Sequence, residues 1–508
     1  MPKKSKDKNP IHPIFIEGKW VPSHSTIQRE IRNPATLELL GTAADCDEQD
    51  VHAAVTAARQ SQQNWWRVPG VEKAKLLREL GGRIREREHE LARLMTQETG
   101  KPWCESVDCI DWVAAAFEYY AEVARSSYGN SVPPVGPHQI NFTIKEPYGV
   151  VAAICPFNFP LLLMAWKVAP ALAAGNTIVC KAPHQNPLTN LLMARIYEGV
   201  LPPGVVNVIT GGESTGEWLI HHEGVDLIAF TGSTPVGRRI AAVAGSQLKK
   251  VNLELGSVDP FLVFKDANLD IAVPGVAWAR LLNAGQVCTS SKRIYLERPI
   301  ANEFIDRLVA HVKTLQVGDP LNPDIDIGTL ISAEAVTKVE SQVRAAIQEG
   351  AVLILGGKRF QPGGLPGYFF EPTILTQVKH GSIPTREEIF GPVLSITVAE
   401  NADEMIEMAN DSKYGLGACI YTNNLEISMR AMENIKAGTF WINDPLTDND
   451  AAPFGGMRWS GIGRELGEEG LDAFREPKHV HLDYVAEKKP YWYPYKNRKI
   501  PLKKESKS

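Results

Sequence analysis

The chain has 508 residues with 44% hydrophobic, 22% charged and 8% aromatic side chains. This globular usage excludes a disordered, collagen-like or coiled-coil chain, and the length predicts about two to four domains. Lysine and arginine total 54 against 59 aspartates and glutamates, a net charge of -5, so no overall field recruits nucleic acid.

The N-terminal run Met1-Pro-Lys-Lys-Ser-Lys-Asp-Lys8 is basic but lacks the apolar core of a secretory signal, and no export is expected. Residues 14–20 predict a short strand and turn leading into irregular chain, and helix begins near residue 48. From residue 71 to 99, Leu76, Leu77, Leu80, Ile84, Leu91, Leu94 and Met95 recur at helical spacing, which predicts one amphipathic helix capped by Gly100, with its stripe in the core. A Pro/Gly-rich break at 131–137 precedes a strand at 138–146.

Val/Ile-rich runs then alternate with helical segments: strands at 150–155, 177–181 and 205–209, and helices at about 161–173 and 188–198. Strands buried on both faces between helices of this size predict a doubly wound parallel α/β domain. The apolar stretch 161–174 carries Lys167 and Pro170 and is too short for a span, so it reads as a buried helix and no transmembrane segment is expected. Strands at 260–264, 292–296, 352–355 and 392–398, with helices near 301–315 and 332–348, predict a second α/β domain beginning near 256–260. Residues 479–484 read as a strand leaving the body. The aromatic and basic stretch 488–496 reads as a tail that is solvated or packed on a neighbouring subunit, with membrane contact as the alternative.

The seven cysteines, Cys46, Cys104, Cys109, Cys155, Cys180, Cys288 and Cys419, are scattered without metal-ligand spacing. They predict no disulfide framework, no metal site and a reducing cytoplasm. Cys288 lies in Asn283-Ala-Gly-Gln-Val-Cys-Thr-Ser-Ser291, a polar, turn-prone segment where a thiolate is accessible, although a buried structural cysteine fits the same residues. Glu254 sits in Val251-Asn-Leu-Glu-Leu-Gly256. A carboxylate buried among leucines gains the raised pKa that a general base needs, whereas a surface glutamate at a strand end is the plainer reading. In Phe230-Thr-Gly-Ser-Thr-Pro-Val-Gly237, Gly232 permits a tight strand-to-helix turn, and Ser233 either caps the helix or meets a phosphate. It is not the GxGxxG dinucleotide fingerprint.

Seven ordered segments make the chain resemble the NAD(P)-dependent aldehyde dehydrogenase superfamily, in its non-acylating, hydrolytic branch, over residues 14 to 484. They are Pro156-Phe-Asn-Phe-Pro160, Lys181-Ala-Pro-His184, Phe230-Thr-Gly-Ser-Thr234, Leu253-Glu-Leu-Gly256, Gly285-Gln-Val-Cys288, Glu387-Glu-Ile-Phe-Gly-Pro392 and Pro453-Phe-Gly-Gly-Met-Arg-Trp-Ser-Gly461. The resemblance implies a Rossmann-like cofactor-binding domain (1–130 and 150–257) and an α/β catalytic domain (258–470). It also implies a small projecting β oligomerisation element (131–149 and 471–490), followed by a basic tail (491–508). A homodimer or homotetramer is expected.

It further implies that an aldehyde is oxidised to a carboxylic acid through a thiohemiacetal and a thioester. Cys288 would be the nucleophile, Glu254 the base, and Asn158 with the backbone N–H of Cys288 the oxyanion donors. Lys167 and Glu465 would form a proton path, or a structural ion pair. NAD or NADP would be held by Ile154, Lys181, His184, Gly211, Ser233, Leu255, Gly256, Glu388 and Phe390. His184 stands where many NAD-specific members carry a glutamate that repels a 2′-phosphate, so NADP should be tolerated, the imidazole donating a hydrogen bond or carrying charge. Phe157 replaces a tryptophan, and Ser257-Val-Asp259 replaces Gly-Lys-Ser, where Ser257 is expected to crowd the nicotinamide.

The implied substrate tunnel consists of Trp112, Phe159, Leu163, Trp166, Asp448 and Phe454. Aromatics with one acid favour a cationic aldehyde of the amino or betaine type, with an apolar or aromatic aldehyde as the alternative. An acyl-CoA-forming enzyme is disfavoured by the presence of Glu254. A non-catalytic protein on the same fold is disfavoured by Cys288, Glu254 and Asn158 together.

Overall fold

The computed structural model describes residues 11–126 and 128–497; the basic N-terminal run and the lysines after residue 497 lie outside the described residues. Two compact units form, one from the chain up to residue 126 with residues 147–475, the other from the chain between them and the C-terminal segment after residue 475.

The larger unit is α/β and contains two large sheets. The first has eight strands in the order Gly461–Ile462, Lys250–Glu254, Leu227–Thr231, Val150–Ile154, Thr177–Lys181, Val206–Ile209, Ile14–Ile16 and Lys19–Val21. Its five inner strands are parallel and its edges antiparallel. Every residue of Val150–Ile154, Thr177–Lys181 and Leu227–Thr231 is buried, which is why these strands read as unbroken apolar runs. The chain lays three strands outward on one side, then crosses back to place Leu227–Thr231 and Lys250–Glu254 on the other. The reversal opens a crevice beside the C-terminal ends of the central strands. Helix Leu162–Ala174 is buried from Leu163 to Ala173 and contains Lys167 and Pro170. Among the described residues no helix is long and apolar enough to cross a membrane.

The second sheet has seven strands in the order Val352–Leu355, Thr373–Thr376, Val393–Ala399, Arg293–Glu297, Pro260–Val263, Gly417–Tyr421 and Thr439–Ile442. All pairings are parallel except that of the edge strand Val352–Leu355. In the smaller unit, Arg475–Asp483, Gln139–Pro147 and Ser131–Val132 make a three-stranded sheet. There Asn141 Oδ1 meets His479 Nε2 at 3.2 Å and His481 Nδ1 at 2.8 Å. Tyr491, Trp492, Tyr493 and Tyr495 in the aromatic tail are exposed.

Two expectations change. The single helix over 71–99 is two helices, Gly70–Glu86 and Glu88–Thr99, broken at Arg87 with φ -110° and ψ 17°. Both lay their apolar stripes on the same core, so the periodicity survives a break it cannot register. The segment expected to be irregular contains strands Gln28–Arg32 and Leu39–Ala44, paired antiparallel, with Ile11–His12 alongside. Neither strand alternates apolar and polar residues, so pairing rather than pattern makes them.

The segment Lys181 to His184 leads into helix Leu188–Glu198, whose N-terminus has no side-chain cap of its own. Glu98, buried on another helix, accepts from Leu188 N and Thr189 N at 2.7 Å each and also bonds the Thr189 hydroxyl. Glu98→Ala should destabilise the protein by about 2 kcal/mol or more by orphaning these donors. Glu98→Gln, which keeps an acceptor, should cost less; thermal melts of the two variants check this.

Candidate active site

The C-terminal ends of the first sheet's strands deliver several sequence-predicted residues to one crevice. Ile154 and Lys181 end their strands, Gly211 follows Val206–Ile209, and Ser233 precedes helix Thr234–Ser246. Ser233 is exposed, and its side chain makes no capping bond to that helix. The first-turn N–H groups therefore remain available to an anion. Gly211 has φ +147°, and a Cβ there would lie 2.1 Å from Thr215 Oγ1; at Gly256 a Cβ would lie 2.7 Å from Glu388 Oε2. An uncapped helix start, with Gly211 at a backbone conformation that L side chains rarely adopt and Gly256 close to Glu388, fits the phosphates and ribose of a dinucleotide.

Lys181 is buried and held by the Ala182 carbonyl at 3.3 Å, and burial pulls its amine down to about 8. Burial, aided by Lys181 and Arg29, depresses His184 to about 4. Near neutral pH His184 is therefore an uncharged hydrogen-bonding ring, and the positive charge beside it belongs to Lys181 and Arg29. Phe390 meets Phe157 edge to face, with ring centroids 6.0 Å apart.

The segment leading to Cys288 reverses direction through three consecutive residues at positive φ, Asn283 at 50°, Ala284 at 52° and Gly285 at 76°. A Cβ on Gly285 would strike the Gly391 carbonyl oxygen at 2.2 Å. Asn158 Nδ2 donates to Gln286 O at 3.0 Å, and Asn283 Nδ2 donates to Asn158 O at 3.0 Å. A carbonyl partner fixes which end of the Asn158 amide is the nitrogen. Its Oδ1 is buried and has no partner. Cys288 is half-buried, and burial pushes its thiol up to about 12, with Lys292 acting in the opposite direction.

Glu254 ends strand Lys250–Glu254 with both carboxylate oxygens buried and unpartnered. Burial first, then the charge of Glu465, raises its pKa well above the ordinary carboxylate range, while Lys167 opposes the rise. Lys167 Nζ contacts Glu465 Oε1 at 2.5 Å and donates to Thr231 Oγ1 at 2.6 Å, fully buried. Ser257, expected to crowd the nicotinamide, lies next to the Cys288 loop. It is fully buried, and its hydroxyl is spent on the Cys288 carbonyl at 2.5 Å.

A cavity of about 660 Å³ reaches Cys288 and is lined by all six residues expected for the tunnel: Trp112, Phe159, Leu163, Trp166, Asp448 and Phe454. Trp166 and Phe454 pack with ring centroids 5.0 Å apart. Phe159 already carries the buried ammonium of Lys101, 3.3 Å from its ring centroid. Glu105, Asp108, Trp278 and Asp326 also line the cavity and were not anticipated. Glu105, Asp108 and Trp112 recur at three- and four-residue steps on helix Trp103–Val123, a one-face signal legible once that helix is placed. Burial raises Glu105 to about 8 and Asp448 to about 7.

The family model described as "Aldehyde dehydrogenase family" matches residues 20–480. Betaine aldehyde dehydrogenase 1 of Oryza sativa subsp. japonica is 40% identical over 491 residues, covering 94% of this chain and 97% of that protein. The peroxisomal aminoaldehyde dehydrogenase 1 of Malus domestica matches at the same identity and coverage. The crystal structure of betaine aldehyde dehydrogenase from Staphylococcus aureus in complex with NAD+ superposes with a TM-score of 0.92 at 35% identity, covering 95% of this chain and 97% of that one.

Alkylation of the folded protein by iodoacetamide should modify exposed Cys104 and half-buried Cys288, and spare the five buried cysteines. Because the Cys288 thiol is raised, its rate should climb about tenfold per pH unit without levelling below about pH 9. Peptide mapping by mass spectrometry reads both outcomes.

Proposed function

The chain belongs to the aldehyde dehydrogenase family, and for this NAD(P)-dependent aldehyde dehydrogenase we propose a small cationic aldehyde, of the aminoaldehyde or betaine aldehyde kind, as substrate. The observation that carries the reading is the set of carboxyl groups lining the cavity that leads to Cys288. Glu105, Asp108, Asp326 and Asp448 line it, with no lysine or arginine among the lining residues. Trp112, Trp166, Trp278 and Phe454 add aromatic faces suited to a cation. The names of the betaine aldehyde and aminoaldehyde relatives support the same class.

In the mechanism we propose, Cys288 Sγ adds to the aldehyde carbon and its proton passes to Glu254. The oxyanion is met by the second N–H of Asn158 and the backbone N–H of Cys288, donors each worth about 3 kcal/mol in comparable sites. NAD(P)+, held by the residues at the strand ends and by Glu388 and Phe390, supplies when bound the acceptor for the hydride that leaves this carbon. Glu254 releases the first proton along the Lys167–Glu465 path and then takes a second from the water that attacks the thioester. The C–S bond breaks, the acid departs and Cys288 regains its proton. Lys167 and Glu465, directly behind Glu254, carry the released proton away, and CoA is not required.

We assign residues 1–130 and 150–257 to cofactor binding, 258–470 to catalysis, and 131–149 with 471–490 to self-association as a dimer or tetramer. Exposed Val132, Ile140 and Leu482 on the three-stranded sheet support that last role. Seven free cysteines support a reducing compartment, which we take to be the cytoplasm.

Betaine aldehyde and 3,3-dimethylbutanal have the same shape and differ in charge. Without CoA, kcat/KM should favour the cation by about tenfold or more; equal values would return the site to apolar aldehydes. The acids at about 7 and about 8 are neutral below those values and charged above them. The KM for betaine aldehyde should therefore fall as pH rises from about 7 to about 9, while that for dimethylbutanal stays level. His184→Glu places a carboxylate where NADP carries its 2′-phosphate and should lower kcat/KM with NADP+ relative to NAD+ by about tenfold or more.

A further inference from the structure

Lys292 lies four residues after Cys288, immediately before strand Arg293–Glu297, with its side chain 1% exposed. Its Nζ donates to the Cys288 carbonyl and, at 3.1 Å, to Ser257 Oγ. It faces Glu388 Oε1, also at 3.1 Å. Ser257 Oγ donates to the same Cys288 carbonyl, and Ser257 N points at Glu388 Oε1 at 3.4 Å. One ammonium thus joins three separate segments: the nucleophile loop, the turn after strand Lys250–Glu254, and the segment carrying Glu388. A charge this buried is costly unless every direction around it is paired, and here each is.

We propose that Lys292 is a positioning residue of the reaction, fixing the backbone of Cys288 and supplying the positive charge beside which the Cys288 thiolate forms. The inference rests on the reading of Cys288 as nucleophile. Four charged groups act on the thiol; Glu388, Asp259 and Asp448 oppose its ionisation and Lys292 alone favours it. Asp259, which accepts from Gly417 N at 2.9 Å, is raised to about 7 by burial. Asp448 is raised to about 7 as well. Both therefore gain negative charge as pH rises, in the range where the thiolate must form, and Lys292 is the charge that offsets them.

The test measures the rate at which iodoacetamide alkylates Cys288 in the full-length enzyme, across about pH 7 to 9, with peptide mapping to locate the adduct. Alkylation of wild type must land on Cys288 and abolish turnover; if turnover survives, the nucleophile reading itself fails. Given that, Lys292→Met should slow alkylation about tenfold at each pH, the effect of one unit of thiol pKa. It should lower kcat while leaving the aldehyde KM within about twofold, the split expected for a lost transition-state interaction. Lys292→Arg, which keeps the charge, should restore most of the rate. Lys292→Gln retains a donor without charge and carries the test if the methionine variant does not fold; it should be as slow. A wild-type alkylation rate in either folded, uncharged variant overturns the proposal, as does a loss that arginine does not restore, since Lys292 would then act through its shape and packing and not through its charge.

Discussion

Two asparagine side chains hold the catalytic region together. Asn158 comes from the loop after the first sheet's central strand, and Asn283 from the reversal that leads to Cys288. Each spends an amide N–H on a backbone carbonyl in or beside the other's loop, at 3.0 Å. The lock is tightened by Gln286, which donates to Asn283 O at 3.0 Å and Thr329 O at 3.2 Å, and by Glu105, which accepts from Asn283 N at 2.9 Å. Because these bonds are buried, breaking any one leaves an unpaired polar group, and the cost keeps the loops in a single arrangement. The remaining N–H of Asn158 is thereby held in one direction, and the oxyanion-donor role proposed for it would rest on preorganisation of that kind.

The same dryness governs the acid–base groups. Cys288 and Glu254 are both pushed toward their neutral forms by burial, so each relies on a fixed cation to ionise. Lys292 stands beside the first and Lys167 beside the second. Lys167 is in turn held by Glu465 and Thr231. Such buried pairs contribute little net stability, since desolvation offsets their attraction.

The sequence announces the chemistry more clearly than the scaffold around it. Cys288, Glu254 and Asn158 sit in contiguous segments whose glycines and turn residues can be read locally, and the doubly wound alternation from residue 150 follows from strands too apolar to face water. The break at Arg87 is invisible because both helices feed one core and the spacing runs through it. The strands Gln28–Arg32 and Leu39–Ala44 carry no alternation and exist through pairing. Lys292 reads only as the first residue of a strand; the folded loop is what brings it under the Cys288 carbonyl. Glu105 and Asp108 were hidden in the same way, since a helix must be placed before its polar residues can be assigned a face. Ser257 shows the converse, a substitution visible in sequence whose consequence, a bond to the nucleophile loop, depends on contacts more than thirty residues away in the chain.

Acidity at the cavity carries a cost for Cys288 in the role of nucleophile proposed for it. Asp448 lines the path to Cys288 and its charge raises the thiol pKa, so a cavity built to attract a cation works against the thiolate at its end. Lys292 offsets part of that opposition permanently. A cationic substrate seated against Asp448 would offset more of it, because the field of the carboxylate at Cys288 is reduced when a positive group pairs with it. A neutral aldehyde of the same shape brings no such relief. Charge on the substrate would then favour both its binding and the ionisation of the group that attacks it, so selection for cationic aldehydes should extend to the chemical step as well as to affinity.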